Sequence, residues 1–236
     1  MNSFFQWQIF IQDTGAGETY LQWLMSAWRW TLAVSFFAWV IAIVVGTIVG
    51  IMRTLPNRFV ATLGTAWTEL FRNIPILVQI FIWYHVIPTL FLSLRAIPSF
   101  ALVVIALGFF TSARIAEQVK AGIESLSKGQ LQAGLALGLT RTQTYRYVLM
   151  PLAFRIIVPP LTSESMGIIK NSSVAFAVSI SELTMFALQA GEETSRNIEF
   201  FFATTFLYFI SAYAVNHIAL FIERKLRLPG TQGGSR

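Results

Sequence analysis

The chain has no cysteine and only two histidines, His85 and His217. A disulfide, a thiolate nucleophile and a cysteine metal site are therefore excluded, and two histidines so far apart in sequence make no metal site on their own. Charge is scarce as well. Only 12% of the 236 residues are charged, where a soluble domain carries about 25%. No GxxxxGK[ST] phosphate loop is present, so nucleotide is not hydrolysed by that route. HExxH and GxSxG are missing too, which removes the zinc-peptidase and serine-hydrolase readings. Residues 1 to 20 lack a basic n-region and contain Asp13 and Glu18, so no cleavable signal peptide is expected. No internal repeat stands out, whereas stand-alone secondary transporters often show one.

What remains is apolar. Hydrophobic residues make up 55% of the chain, with 21 Phe and 7 Trp. One water-soluble globule cannot hide that much apolar surface, so the bilayer is the expected solvent. The net charge of +6, from 17 Lys and Arg against 11 Asp and Glu, then reflects basic loops rather than nucleic-acid binding. About 20 residues span a hydrocarbon core of roughly 30 Å. By that measure the sequence predicts a single all-α membrane domain over 1–236 with five spans, at about 30–52, 73–92, 96–113, 161–181 and 200–222. Residues 1–25 read as an amphipathic lead carrying Trp7 and Trp23, and 53–72 as a basic loop. Gly46 and Gly50 form a GxxxG pair in the first span, which permits close helix approach. Of the 17 basic residues, only Arg29, Arg95, Arg196 and the intramembrane Lys170 fall outside one side's loops. That bias places the N-terminus outside and the C-terminus inside.

The stretch 125–160 interrupts the apolar pattern on the predicted cytoplasmic side. Leu131, Leu135 and Leu139 share a helical stripe, Gly138 marks a stop, and a second short helix over 142–150 is expected to halt at Pro151. Such a helix-turn-helix either packs against the chain's own helix ends or offers a docking edge to another protein.

This stretch resembles the EAA loop of the permease subunits of bacterial ABC importers. That loop reads Glu-Ala-Ala, three residues, Gly, nine residues, Ile-x-Leu-Pro. Here the positions are Gln132, Ala133, Gly134, then Gly138, then Val148, Leu149, Met150 and Pro151, with spacing intact and four substitutions. Glu69 to Gln79, Pro159 to Glu164, and Lys170 to Ser173 are similar to the polar amino acid permeases, with glutamate/aspartate importers the nearest in pattern. The resemblance runs from about residue 20 to Gly230. It implies a type I ABC importer fold in the bacterial inner membrane. It also implies docking of two ATP-binding subunits on the loop, a second permease chain (similar or identical), and a periplasmic binding protein that delivers substrate. The chain itself would hold no cofactor, ATP and Mg²⁺ belonging to the ATP-binding partner. Glutamate or aspartate is the favoured cargo, with asparagine and glutamine open.

Transport chemistry is expected on the fourth span. Ionisable groups inside a membrane helix are costly and functional by default. At 100° per residue Ser163, Glu164, Gly167, Lys170 and Asn171 fall within roughly 120°. Lys170 could hold a substrate carboxylate, Asn171 could hydrogen-bond it, and Glu164 could hold the α-ammonium. In the alternative reading Glu164 and Lys170 pair with each other or snorkel to the interfaces. Thr111 and Ser112 add hydroxyls to the same path or bond their own helix carbonyls. Glu69 and Arg72, three apart, read as a local ion pair. A stand-alone transporter or channel and a non-transporting scaffold are the rival functions.

Overall fold

The computed structural model describes residues 6–126 and 128–226. Ser127 of the predicted loop, the basic residues Arg227 and Arg236, and the 227–230 end of the permease resemblance lie outside the described residues. Among these residues the protein is helical with no strand; one isolated bridge, Asp13 to Thr19, closes the turn before the first long helix.

That helix, α1 (Tyr20–Met52), starts ten residues before the predicted span. Thr19 caps it, accepting from the Gln22 amide while the Gln22 side chain accepts from the Thr19 amide. The lead is correspondingly shorter than expected: Trp23 belongs to α1 and meets Phe186 edge-on at 5.1 Å. α1 packs along α5 (Ser99–Glu124). Ala38, Ala42, Gly46 and Gly50 recur every four residues on the buried side of α1, while Phe36, Phe37, Val40, Val44 and Ile48 face out. The two backbones approach so closely that a Cβ on Gly46 would lie 2.8 Å from the Ser112 carbonyl oxygen. A Cβ on Gly50 would lie 2.5 Å from Val119 Cβ. Without a hydrophobic drive between helices in lipid, such close contact supplies the packing energy.

Residues 53–72, expected as a loop, are mostly helix: α2 (Arg58–Asn73), capped by Asn57, whose side chain accepts from the Phe59 and Val60 amides. Its apolar residues lie on one face, so mean hydropathy hides it. Pro75 forces Ile74 into an extended conformation (φ −95°, ψ 129°) and ends the helix. The chain then turns by 104° into Ile76–Leu90, which comprises α3 (Ile76–Phe81), a π-helical turn (Ile82–Val86) and α4 (Ile87–Leu90). Gln79 holds this bend. Its buried amide donates to the Phe71 carbonyl at 2.7 Å and the Ile74 carbonyl at 2.8 Å, two acceptors that the broken helix leaves open. Replacing Gln79 with leucine is expected to cost about 2 kcal/mol by leaving those carbonyls unpaired. The loss should be read as a lower melting temperature and faster proteolysis near Pro75.

After α5 come α6 (Lys128–Ala136), α7 (Arg141–Thr144), a π-helical turn (Tyr145–Leu149) and α8 (Met150–Asn171). The predicted halt at Pro151 does not occur, and the helix also runs through Pro159 and Pro160, where the fourth span was expected to begin. Both π turns are followed two residues later by proline, Pro88 in one case and Pro151 in the other. A proline ring clashes with the carbonyl four residues back and lacks an N–H to give it. The wider π turn moves the local pairing to i→i−5 and accommodates the ring.

The acidic segment 182–199 contains a further helix, α9 (Leu183–Thr194), capped by the fully buried Glu182, which also accepts from the Tyr208 hydroxyl at 2.6 Å. α10 (Asn197–Leu226) closes the fold against α8 and α9. Among the described residues, four helical runs are long and apolar enough to cross a membrane: α1, α5, Arg141–Val178 and Asn197–Lys225. The bent pair Arg58–Asn73 and Ile76–Leu90 makes a fifth if taken as one span.

Candidate functional site

The predicted site residues separate into two regions. The first lies in the interior of α5 and α8. Glu164 is nearly buried, and both of its oxygens are occupied. Arg114 donates from Nε to Oε2 at 2.8 Å and from Nη2 to Oε1 at 3.0 Å, and Gln118 donates to Oε1 at 3.1 Å. The partner of Glu164 is thus Arg114 on the neighbouring helix, 50 residues away in sequence, and not Lys170. The bidentate fork suits Arg rather than Lys. Its place at the end of the predicted span hides this role in the sequence. The signal that could have found it is its place one turn beyond Thr111 on a helix that continues past the span.

The other members of the α8 face are open. Ser163 and Lys170 are exposed, and Gly167 and Asn171 half-exposed. A Cβ on Gly167 would meet no atom within 4 Å among the described residues. Lys170 enters no ion pair among the described residues. The Arg114 side chain is 51% exposed on this same edge. Thr111 and Ser112, by contrast, are buried under it. Ser112 accepts from Trp67 Nε1 at 3.1 Å and donates to the Phe109 carbonyl at 2.7 Å, which ties α5 to α2. Thr111 Oγ1 has no hydrogen-bond partner among the described residues. The Glu69–Arg72 pair forms at 3.3 Å, and Arg72 also reaches Glu117 on α5 at 2.6 Å.

The second region is the turn between α6 and α7. Gly138 has φ +81°, the left-handed conformation that glycine adopts without steric cost. The Gly138 amide bonds the Leu135 carbonyl and the Leu139 amide bonds the Gly134 carbonyl, which is the Schellman pattern. Thr140 then caps α7 in a reciprocal box with Gln143. Gly134 brings the two helices together, since a Cβ there would lie 2.5 Å from Thr144 Cγ2. This contact accounts for glycine where the EAA pattern carries alanine. Gln132 and Ala133 face out with Leu135 and Leu137, the latter 82% exposed, so the apolar edge includes a residue that helical spacing did not single out. Val148 is half-buried and Pro151 exposed. Tyr145 anchors the region by donating to the Thr54 carbonyl at 3.1 Å.

An all-helical membrane fold whose Gly138 turn keeps the spacing of the EAA loop defines a class. The chain belongs to the binding-protein-dependent transport system inner membrane components, which it matches over residues 42–228. It is a permease subunit of an ABC importer. More particularly, it is 44% identical over 97% of both chains to the glutamate/aspartate import permease protein GltJ of Escherichia coli O6:H1. It is 29% identical to GltK of the same organism, a glutamate/aspartate import permease protein, over 83% of this chain and 89% of that one. A solved amino acid ABC transporter "with histidines" superposes with a TM-score of 0.75 at 27% identity, covering 87% of this chain and 95% of the other.

Proposed function

We propose that this permease imports glutamate and aspartate, and that the Arg114–Glu164–Lys170 face of α5 and α8 is its half of the path. The carrying observation is the charge of that open face. Arg114 and Lys170 contribute two positive charges and Glu164 one negative, which Arg114 already neutralises. The face is therefore net cationic, and it suits a substrate with one carboxylate more than ammonium. A charged stripe exposed at membrane depth is incompatible with lipid, so it faces a second chain across an aqueous gap. In this reading Lys170 and the free edge of Arg114 hold substrate carboxylates, Asn171 and Ser163 hydrogen-bond the substrate, and Thr111 and Ser112 support the wall from behind. A substrate ammonium would share the Glu164 carboxylate with Arg114.

The second permease is a homologous but different chain. The identity to GltJ exceeds that to GltK, which supports placing this subunit in the GltJ position of a heteromer. The N-terminus lies outside, where a periplasmic binding protein delivers substrate. Two ATP-binding subunits, which hold ATP and Mg²⁺, dock on the edge formed by Gln132, Ala133, Leu135 and Leu137. The permease supplies no cofactor. In proteoliposomes holding the whole importer, Lys170→Ala is expected to reduce ATP-driven glutamate uptake about tenfold and glutamine uptake much less. Unchanged glutamate uptake, or the same fractional loss for both substrates relative to the wild type, would refute the assignment of the path.

Coupling has its own test. At Gly138 an added Cβ meets no atom within 4 Å among the described residues, so the main effect expected of Gly138→Val is backbone strain of about 1–2 kcal/mol. The variant should insert and purify normally. Its binding-protein-stimulated ATPase rate is expected to fall about tenfold; an unchanged rate would remove the turn from the coupling route.

A further inference from the structure

A crevice of about 610 Å³ opens between α1, α8 and α10. Its walls include Phe36 and Trp39 of α1, Phe154 and Val158 of α8, and Ile218 and Ile222 of α10. Along α8 it runs from Phe154 to Ile169, fifteen residues or about 22 Å. That exceeds one leaflet's share of a hydrocarbon core of roughly 30 Å. At 100° per residue the lining positions of α8 centre on the side opposite Ser163, Gly167 and Lys170. If the polar face meets the second permease, the crevice meets lipid.

One end of the crevice is basic. Phe154 also lines a second hollow of about 390 Å³ with Arg146, Met150, Pro151 and Arg155. Arg146 and Arg155 are exposed and enter no ion pair among the described residues. Lys225 stands three residues past Ile222 on the same face of α10, with Nζ 4.5 Å above the Phe221 ring. An apolar slot that ends in unpaired cations between membrane helices has the chemistry of an anionic phospholipid site. Free phosphate would satisfy the cations but not the slot.

We propose that this crevice binds an anionic phospholipid of the inner leaflet, with an acyl chain along Trp39 and Val158 and its phosphate at Arg146 and Arg155. The orientation of the site rests on the proposed path, but its chemistry does not. The test uses the assembled importer, stripped of lipid in mild detergent and offered dioleoylphosphatidylglycerol or dioleoylphosphatidylcholine, with bound lipid counted by native mass spectrometry. The wild type should retain phosphatidylglycerol about tenfold better. Arg146→Gln/Arg155→Gln should lower that retention to the phosphatidylcholine level with an unchanged melting temperature. Val158→Trp, which fills the slot, should reduce both lipids. Equal retention by the wild type, or a preference that survives the double substitution, overturns the proposal. So does lipid bound by the isolated chain but not by the assembly, because the crevice would then be covered by protein. Glutamate uptake is measured separately, so loss of lipid preference leaves the reading of the polar face standing.

Discussion

Gly50→Leu is expected to eliminate folded protein from the membrane. The obstacle is geometric. A Cβ at Gly50 lies 2.5 Å from Val119 Cβ and 2.9 Å from the Ala116 carbonyl oxygen, and one at Gly46 lies 2.8 Å from the Ser112 carbonyl oxygen. Two of these neighbours are backbone atoms of α5, so a side-chain rotation cannot relieve the contact. The helices would have to separate along the seam that organises the fold, and Ala42, Ile115 and Val119 would lose their packing with it. Overpacking a tight core typically costs 1–3 kcal/mol, and a leucine against backbone should exceed about 3 kcal/mol. Gly50→Ala should fall within the typical range. Gly167→Ala is the control, because its Cβ enters open space. That variant should be neutral or slightly more stable, since alanine is the better helix former by up to about 1 kcal/mol. Size-exclusion profiles of tagged protein from solubilised membranes read all three. A monodisperse Gly50→Leu peak of wild-type height would show that the α1–α5 seam is more pliant than its contacts indicate.

Arg114→Ala should be more damaging than Glu164→Ala, although the two residues form one pair. Removing arginine leaves a carboxylate that is only 9% exposed with Gln118 as its remaining donor. Removing the glutamate leaves an arginine whose side chain is 51% exposed. An unpaired buried charge costs 3–5 kcal/mol when fully enclosed, and the open side of this pair reduces the expected loss to about 2 kcal/mol. Arg114→Ala/Glu164→Ala should be more stable than Arg114→Ala alone. Transport should follow a different order. Both single variants and the double variant lose the positive edge or its support, so glutamate uptake should fall at least about tenfold in each. Thermal melting and uptake in proteoliposomes separate the two effects. If Arg114→Ala melted like the wild type, the ion pair would carry no stability. If it also transported like the wild type, Arg114 would have no place in the path.

Much of this protein is legible in its sequence, for reasons particular to each element. The apolar stretches at α1, α5 and α10 stand out because lipid leaves no other solution for a long uncharged run. The turn at Gly138 is equally local: a stop residue with positive φ (+81°), followed by a Thr140–Gln143 cap, has a short-range signature. The GxxxG pair pointed to a close approach, and the Glu69–Arg72 pair is present. Other elements were hidden because their cause is distant or averaged out. α2 reads as a loop in sequence because its polar face lowers the mean hydropathy, and the 104° bend depends on Gln79 reaching back to two carbonyls. The run through Pro151 depends on a π turn that no propensity scale registers.

Sequence by itself therefore determined the membrane class, the apolar helices, the glycine turn at Gly138 and the polar face of α8, all of which follow from composition, periodicity and short spacing. Tertiary structure alone decided which partner Glu164 takes. Lys170 is six residues away on its own helix and points outward, whereas Arg114 is brought within 2.8 Å by the packing of α5 on α8. Helical periodicity orients a side chain on its own axis, but contact between axes is set by how small residues let the helices meet.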